Sequence, residues 1–167
     1  MTTIFKDNKA YLNLELGAGC GNFGARFHPK CYMTDLDRSL ESTCTKCHVD
    51  WFCDAHSLPW SDDRFDKVIM CNPYGFGFND EDQSQILLKE IIRVSKNGSQ
   101  IIIIGHRANK YCAPERVKKR IAAVKDVKLK FTEESIDSSI EYVGYAFKTL
   151  SGEITIPTDR ITIDVAK

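Results

Sequence analysis

Four consecutive β-branched residues, Ile101 to Ile104, follow the turn-forming stretch Lys96-Asn97-Gly98. An apolar run this short, with no polar face for water, reads as a strand buried on both sides. A doubly covered strand needs helices above and below it, and the neighbouring sequence supplies them. Asn79-Asp80-Glu81-Asp82 offers a cap and first-turn acids, and Leu87, Leu88, Ile91, Ile92 and Ser95 fall on one helical stripe that should stop at Lys96-Asn97-Gly98. Pro114 opens a second helix whose Val117, Ile121 and Val124 share a face. Strands are expected at 11–16, 31–34, 49–53, 67–71 and 101–104, and again at 127–131, 141–148 and 160–165, with a Ser151-Gly152 turn before the last. Strands alternating with helices imply an α/β, Rossmann-like, doubly wound and mostly parallel sheet, and the strand-rich tail implies an antiparallel strand at its C-terminal edge.

At 167 residues the chain has room for one core, so 1–167 reads as a single domain with a short extension at 1–10. Its composition, 43% hydrophobic and 28% charged, is globular. No apolar run approaches the roughly 20 residues of a membrane span, and residues 1–10 hold no signal-peptide core, so a cytoplasmic protein is expected. Net charge is zero, which does not favour nucleic acid as a partner. The charge is uneven, however: 35–90 carries twelve acids against five Lys/Arg, and 106–130 nine Lys/Arg against two acids. The basic stretch reads as a solvated helix face or as an edge for an anionic partner, with Arg107 and Lys110 the residues to test. Seven cysteines without a secretory signal argue against a disulfide framework, and most are expected as packed thiols.

In an open α/β sheet ligands bind at the carboxyl ends of the strands. The first strand ends in Glu15-Leu16-Gly17-Ala18-Gly19-Cys20-Gly21, whose glycines let a ligand lie against main-chain N–H groups. The second ends in Asp35-Leu36-Asp37, a carboxylate placed to accept ribose hydroxyls. The third ends in Asp54-Ala55, able to accept from an adenine amino group, and the fourth in Asn72-Pro73-Tyr74-Gly75, an amide, a rigid ring and an aromatic face.

In this order the segments resemble the class I S-adenosylmethionine-dependent methyltransferases, over roughly residues 11 to 105 and including the stretches from Cys53 to Val68 and from Lys96 to Ile101. The resemblance implies a seven-stranded sheet with S-adenosylmethionine as cofactor. Glu15, Gly17, Ala18, Gly19 and Gly21 would hold its methionine portion. Asp35 would take the ribose hydroxyls, Leu36 would pack on the adenine, Asp54 and Ala55 would contact the adenine edge, and Asn72 would face the sulfonium. Asn72-Pro73-Tyr74 partly matches the Asn-Pro-Pro-Tyr motif of enzymes that methylate amide or exocyclic nitrogens, in which the Asn side chain and a prolyl carbonyl hold the target NH2. One proline fewer brings the aromatic one position early. These three residues are the expected catalytic group, with His106 a further candidate as base. Family members usually carry covering helices before the first strand. Residues 1–10 are too few to build them, so an open site completed by a second copy, a protein partner or a large substrate is expected.

Three other readings compete. Gly19-Cys20-Gly21-Asn22-Phe23-Gly24 satisfies the G-x-G-x-x-G of nicotinamide-dependent oxidoreductases. The fold could persist as a non-catalytic binding module. Cys44, Cys47, Cys53 and His56 have spacing compatible with zinc, and Cys44-Thr45-Lys46-Cys47-His48 matches a haem-attachment pattern.

Overall fold

The computed structural model describes residues 11–149 and 151–167, so the expected extension at 1–10 lies outside the described residues. Seven strands form one sheet: β1 (Asn13–Leu16), β2 (Cys31–Asp35), β3 (Trp51–Phe52), β4 (Phe65–Cys71), β5 (Ser95–Gly105), β6 (Lys128–Ser135) and β7 (Asp159–Ala166). Their spatial order is β3-β2-β1-β4-β5-β7-β6. The first five are parallel, and β7 inserts antiparallel between β5 and β6. The chain leaves β1 toward β2 on one side and returns to β4 on the other. This reversal of strand order sets the carboxyl ends of β1 and β4 side by side, the place where ligands bind in open sheets of this kind.

Helix α3 (Glu81–Val94) begins as its sequence dictates, with the Asp80 carboxylate accepting the Gln83 N–H at 2.9 Å. It buries Leu87, Leu88, Ile91, Ile92 and Val94. It ends at Val94, before Lys96-Asn97-Gly98, because Ser95 already pairs with Phe65 and starts β5. Helix α4 (Pro114–Ala122) starts at its proline and buries Val117 and Ile121. Both pack on the sheet face formed by Leu14, Leu16, Val68, Met70, Ile101, Ile103, Ile161 and Ile163. Ile102 and Ile104 point to the opposite face, so the isoleucine run is covered on both sides as its composition requires.

That opposite face is built differently. It carries the short helix α1 (Phe23–Phe27) and a strap that runs from Ile136 through helix α5 (Ser138–Glu141) to Phe147. Segment 141–148, expected as a strand, is therefore mostly turn and loop, and contributes only a Lys148–Ile154 bridge. Its apolar residues pack as an aromatic group instead: Tyr142, Tyr145 and Phe147 all contact Phe23, with ring centroids 5.1, 5.5 and 5.7 Å away. The Arg26 guanidinium donates to the Val143 and Gly144 carbonyls and ties α1 to the strap. The third strand shrinks to two residues, and the small helix α2 (Leu40–Thr43) precedes it. No helix among the described residues is long and apolar enough to cross a membrane.

Candidate functional site

The glycine loop leaves β1 through Gly17 and Gly19, at φ +68° and +57°, conformations that cost a side chain energy. Three hydrogen bonds set its path. The Ala18 N–H donates to the Thr34 carbonyl (2.9 Å), the Gly19 N–H to Asp35 Oδ2 (2.9 Å) and the Gly21 N–H to the Ala18 carbonyl (3.1 Å). Asp35 Oδ1 takes the Asp37 N–H at 2.9 Å. The acid at the end of β2 thus braces the loop at the end of β1, and each of its oxygens keeps a lone-pair direction for a further donor.

Glu15 is placed otherwise than a ligand-contacting acid would be. Its side chain lies beneath the loop, 1% exposed, with Oε2 accepting the Gly24 N–H near the start of α1 at 2.8 Å. Burial pushes this carboxyl up to about 7, opposed by the Gly24 hydrogen bond and reinforced by the nearby Asp35 charge. It acts on the loop from behind.

Leu36 stands 68% exposed beside Asp35, an apolar side chain largely open to solvent. The Asp54–Ala55 turn is held to the body of the protein by α3. Glu90 accepts the Leu58 N–H at 2.8 Å, while Arg93 donates to the Leu58 and Trp60 carbonyls. Asp54 Oδ1 takes the His56 N–H and faces His56 Nδ1, both at 2.8 Å. The His56 backbone N–H holds the Asp54 carboxyl below its usual range, although burial works the other way. Its side chain remains half exposed, and the buried His56 Nε2 has no hydrogen-bond partner among the described residues.

At the end of β4, Asn72 adopts φ +48°, a left-handed conformation uncommon outside glycine and most tolerated by Asn. Its N–H donates to the Ile104 carbonyl at 2.6 Å, which fixes it beside β5. Pro73 is buried and Tyr74 is 69% exposed, its ring edge-on to Tyr111 at 5.4 Å. The Asn109 side chain reaches back from the segment after β5. Its Nδ2 donates to Asn72 Oδ1 at 3.1 Å and to the Pro73 carbonyl at 3.0 Å.

Three side chains outside the residues the sequence points to lie against these strand ends. The Phe76 ring lies so close to Gly17 that a Cβ there would overlap it. The Tyr145 hydroxyl sits against Gly21, where an added Cβ would overlap it. Asn109 is the third. Only Phe76, two residues beyond Tyr74 in an aromatic-glycine run, carried any local signal.

Some candidates are drawn elsewhere. Arg107 pairs with Asp159 (Nη2–Oδ1 2.7 Å) and Glu133 (2.7 Å), which holds its guanidinium on the β6–β7 pair. His106 Nδ1 accepts the Ala108 N–H at 3.0 Å. Cys44 is joined to Cys20 by a disulfide, which breaks up the Cys44-Cys47-Cys53-His56 set. Among the described residues no three His, Cys, Asp or Glu side chains converge as a metal site. Five of the seven cysteines are free thiols, in line with the expectation that most would be, and this one disulfide is the exception. Counting cysteines cannot show that the glycine loop and the end of α2 meet above β2, where the two Cα atoms come within 5.4 Å, a separation a disulfide spans.

No protein-family model matches the chain, and none of the curated proteins matches it. Solved structures do. A methyltransferase from Thermotoga maritima, a SAM-dependent enzyme and candidate histamine N-methyltransferase, is 18% identical with a TM-score of 0.57, over 93% of this chain and 82% of that one. A SAM-dependent methyltransferase from Aquifex aeolicus is 13% identical with a TM-score of 0.57, over 95% and 83%. A chain from the complex between the Haloferax volcanii Trm112 methyltransferase activator and a candidate methyltransferase is 18% identical with a TM-score of 0.58, over 94% and 82%. With the strand order and antiparallel β7 described above, these likenesses give the chain the fold of the class I S-adenosylmethionine-dependent methyltransferases.

Proposed function

We propose that the protein is an S-adenosylmethionine-dependent methyltransferase whose acceptor atom is a nitrogen. What supports this reading is that the glycine loop, Asp35, Asp54 and Asn72 lie at or just beyond the ends of four neighbouring parallel strands at the strand-order reversal of this fold, with Asp35 bonded to the loop.

The donor set suits the cofactor. Asp35 retains lone pairs for two ribose hydroxyls, Leu36 offers an uncovered apolar surface for a flat base, and Asp54 offers a half-exposed carboxylate for an amino group. Gly17, Ala18, Gly19 and Gly21 would hold the methionine portion, with Glu15 supporting them from below. Ala55 would flank the adenine edge. The Phe76 ring beside Gly17 supplies an aromatic face of the kind that favours a cation. When bound, S-adenosylmethionine supplies a methyl group on a positively charged sulfur. The donor is already activated, so the chain's task is alignment and exclusion of water rather than strong acid–base chemistry.

Asn72, Pro73 and Tyr74 form the acceptor end. That Asn72 Oδ1 and the Pro73 carbonyl both accept from one carboxamide nitrogen supports their use as a pair of acceptors for an NH2 group. Two oxygens holding the N–H bonds would turn the nitrogen lone pair toward the donor, and the exposed Tyr74 ring would lie beside the acceptor. The uncovered Leu36 and Tyr74 also suit a site completed by a large acceptor or a protein partner, as the activator-bound Haloferax neighbour illustrates for its own chain.

The test is a calorimetric titration of S-adenosylhomocysteine into wild type, Asp35→Ala and Asp54→Ala. Saturable binding to wild type, weakened at least about tenfold in Asp35→Ala, or about 1.4 kcal/mol, is expected. Absence of binding to the wild-type protein would overturn the reading.

A further inference from the structure

The two hydrogen bonds that join Asn109 to the acceptor end leave no ambiguity about which atom is where. The Tyr111 backbone N–H can only donate, and it meets Asn109 Oδ1 at 3.0 Å. The Pro73 carbonyl can only accept, so the atom facing it is Nδ2. One carboxamide NH2 is therefore held between Asn72 Oδ1 and the Pro73 oxygen, each at about 3 Å, with both of its N–H bonds used.

We propose that Asn109 is an internal occupant of the acceptor cradle: its side-chain carboxamide stands where the acceptor's NH2 group binds, and it must withdraw before an acceptor can enter. The proposal rests on reading Asn72 and Pro73 as the pair that holds the acceptor. It adds a competitor built into the fold and places a planar, carboxamide-like NH2 as the group the cradle takes.

Withdrawal is a rotation of this side chain that also releases the Tyr111 N–H, while further hydrogen bonds anchor the backbone around it. The Asn109 N–H donates to the His106 carbonyl (2.8 Å), the Cys112 N–H to the Asn109 carbonyl (3.0 Å) and the Phe78 N–H to the Tyr111 carbonyl (2.8 Å). Buried Cys112 and the Arg107–Asp159 pair pin the two ends of the segment. Asn109 itself is half-buried between exposed Ala108 and exposed Lys110, so its side chain has solvent to turn into. The carboxamide also satisfies two part-buried carbonyl oxygens, which unpaired would carry a desolvation cost. An intramolecular competitor lowers apparent affinity by the fraction of time the cradle is open, and removing it restores the intrinsic value.

The experiment measures binding of benzamide, a planar primary amide, and of N,N-dimethylbenzamide, which has no N–H, by NMR titration. Wild type, Asn109→Ala and Asn109→Ser are compared. Serine keeps an oxygen for the Tyr111 N–H but is too short to reach both carbonyl oxygens, so it preserves the turn if alanine disturbs it. Thermal unfolding identifies which variants are intact. Benzamide is expected to bind an intact variant about tenfold more tightly than wild type, with the affinity for N,N-dimethylbenzamide unchanged. Equal gains for both probes, no measurable benzamide binding to the variants, or benzamide binding no tighter than to wild type would overturn the proposal. Weaker binding in the variants would make Asn109 a positioning residue for Asn72. The titration needs no cofactor. Loss of S-adenosylhomocysteine binding with the benzamide gain intact would count against the methyltransferase reading alone, and the reverse pattern against the occupant alone.

Discussion

The two faces of the sheet solve different problems with the same strands. The face toward α3 and α4 is a continuous apolar layer of Leu, Ile, Val, Met and Phe side chains. The face toward α1 and the 136–147 strap is thinner, and polar or sulfur-bearing residues sit inside it: Glu15, Cys31 and Cys71 lie among or beside Phe23, Met33, Ile69 and Ile104. The first face holds the fold together. The second supports the glycine loop from below, and a buried acid and a cross-braced strap are the means. Stability and site construction are therefore partly separable here, and substitutions on the two faces should behave differently.

The largest effect is expected on the helical face. Ile91 is fully buried between α3 and the sheet, so Ile91→Ala should cost about 3–4 kcal/mol of unfolding free energy in denaturant titration. Glu90 and Arg93, which hold the Asp54–Ala55 turn, keep their side chains in this variant, so S-adenosylhomocysteine affinity of the remaining folded protein should change little. A matching loss of affinity would break the separation.

The next effect belongs to the other face and depends on pH. Burial raises the Glu15 carboxyl from 4.5 to about 7, so the folded protein holds this proton more tightly than the unfolded chain. Its stabilising contribution is complete below about pH 4.5 and is lost as pH rises through about 7. Relative to Glu15→Gln, wild type should lose on the order of 3 kcal/mol across that window, measured as denaturant midpoints at several pH values. Parallel pH profiles would show that Glu15 is not the buried acid described here.

The smallest effect concerns the strap. Arg26 holds the Val143 and Gly144 carbonyls at 3.0 Å each from an exposed position. Arg26→Ala should cost about 1 kcal/mol globally, yet speed amide hydrogen exchange in 142–147 and loosen the Tyr145 contact with Gly21. Unchanged exchange there would show that aromatic packing on Phe23 alone suffices to hold the strap.

The strand ends were legible before the fold was known. Gly17, Asp35, Asp54 and Asn72 each close a strand, and residues at strand ends in an open α/β sheet converge whatever lies between them. The burial of Glu15 was not legible, since it depends on α1 packing against it through the Gly24 N–H. Segment 141–148 misled because Tyr142, Tyr145 and Phe147 look like strand residues, whereas their partner is Phe23, more than a hundred residues away. Arg107 looked available to an anion until Asp159, paired across β5 and β7, claimed it.

The sequence by itself determined the parallel α/β class, the two long helices and the identity of the strand ends, because these follow from local periodicity, capping and turn chemistry. Only the tertiary structure decided that Cys20 meets Cys44, that Phe76 covers Gly17 and that Asn109 fills the space between Asn72 and Pro73. Each of these joins segments brought together only when the strand order closes. A contact of that kind leaves no periodic trace in either segment, since its geometry is set by the sheet between them.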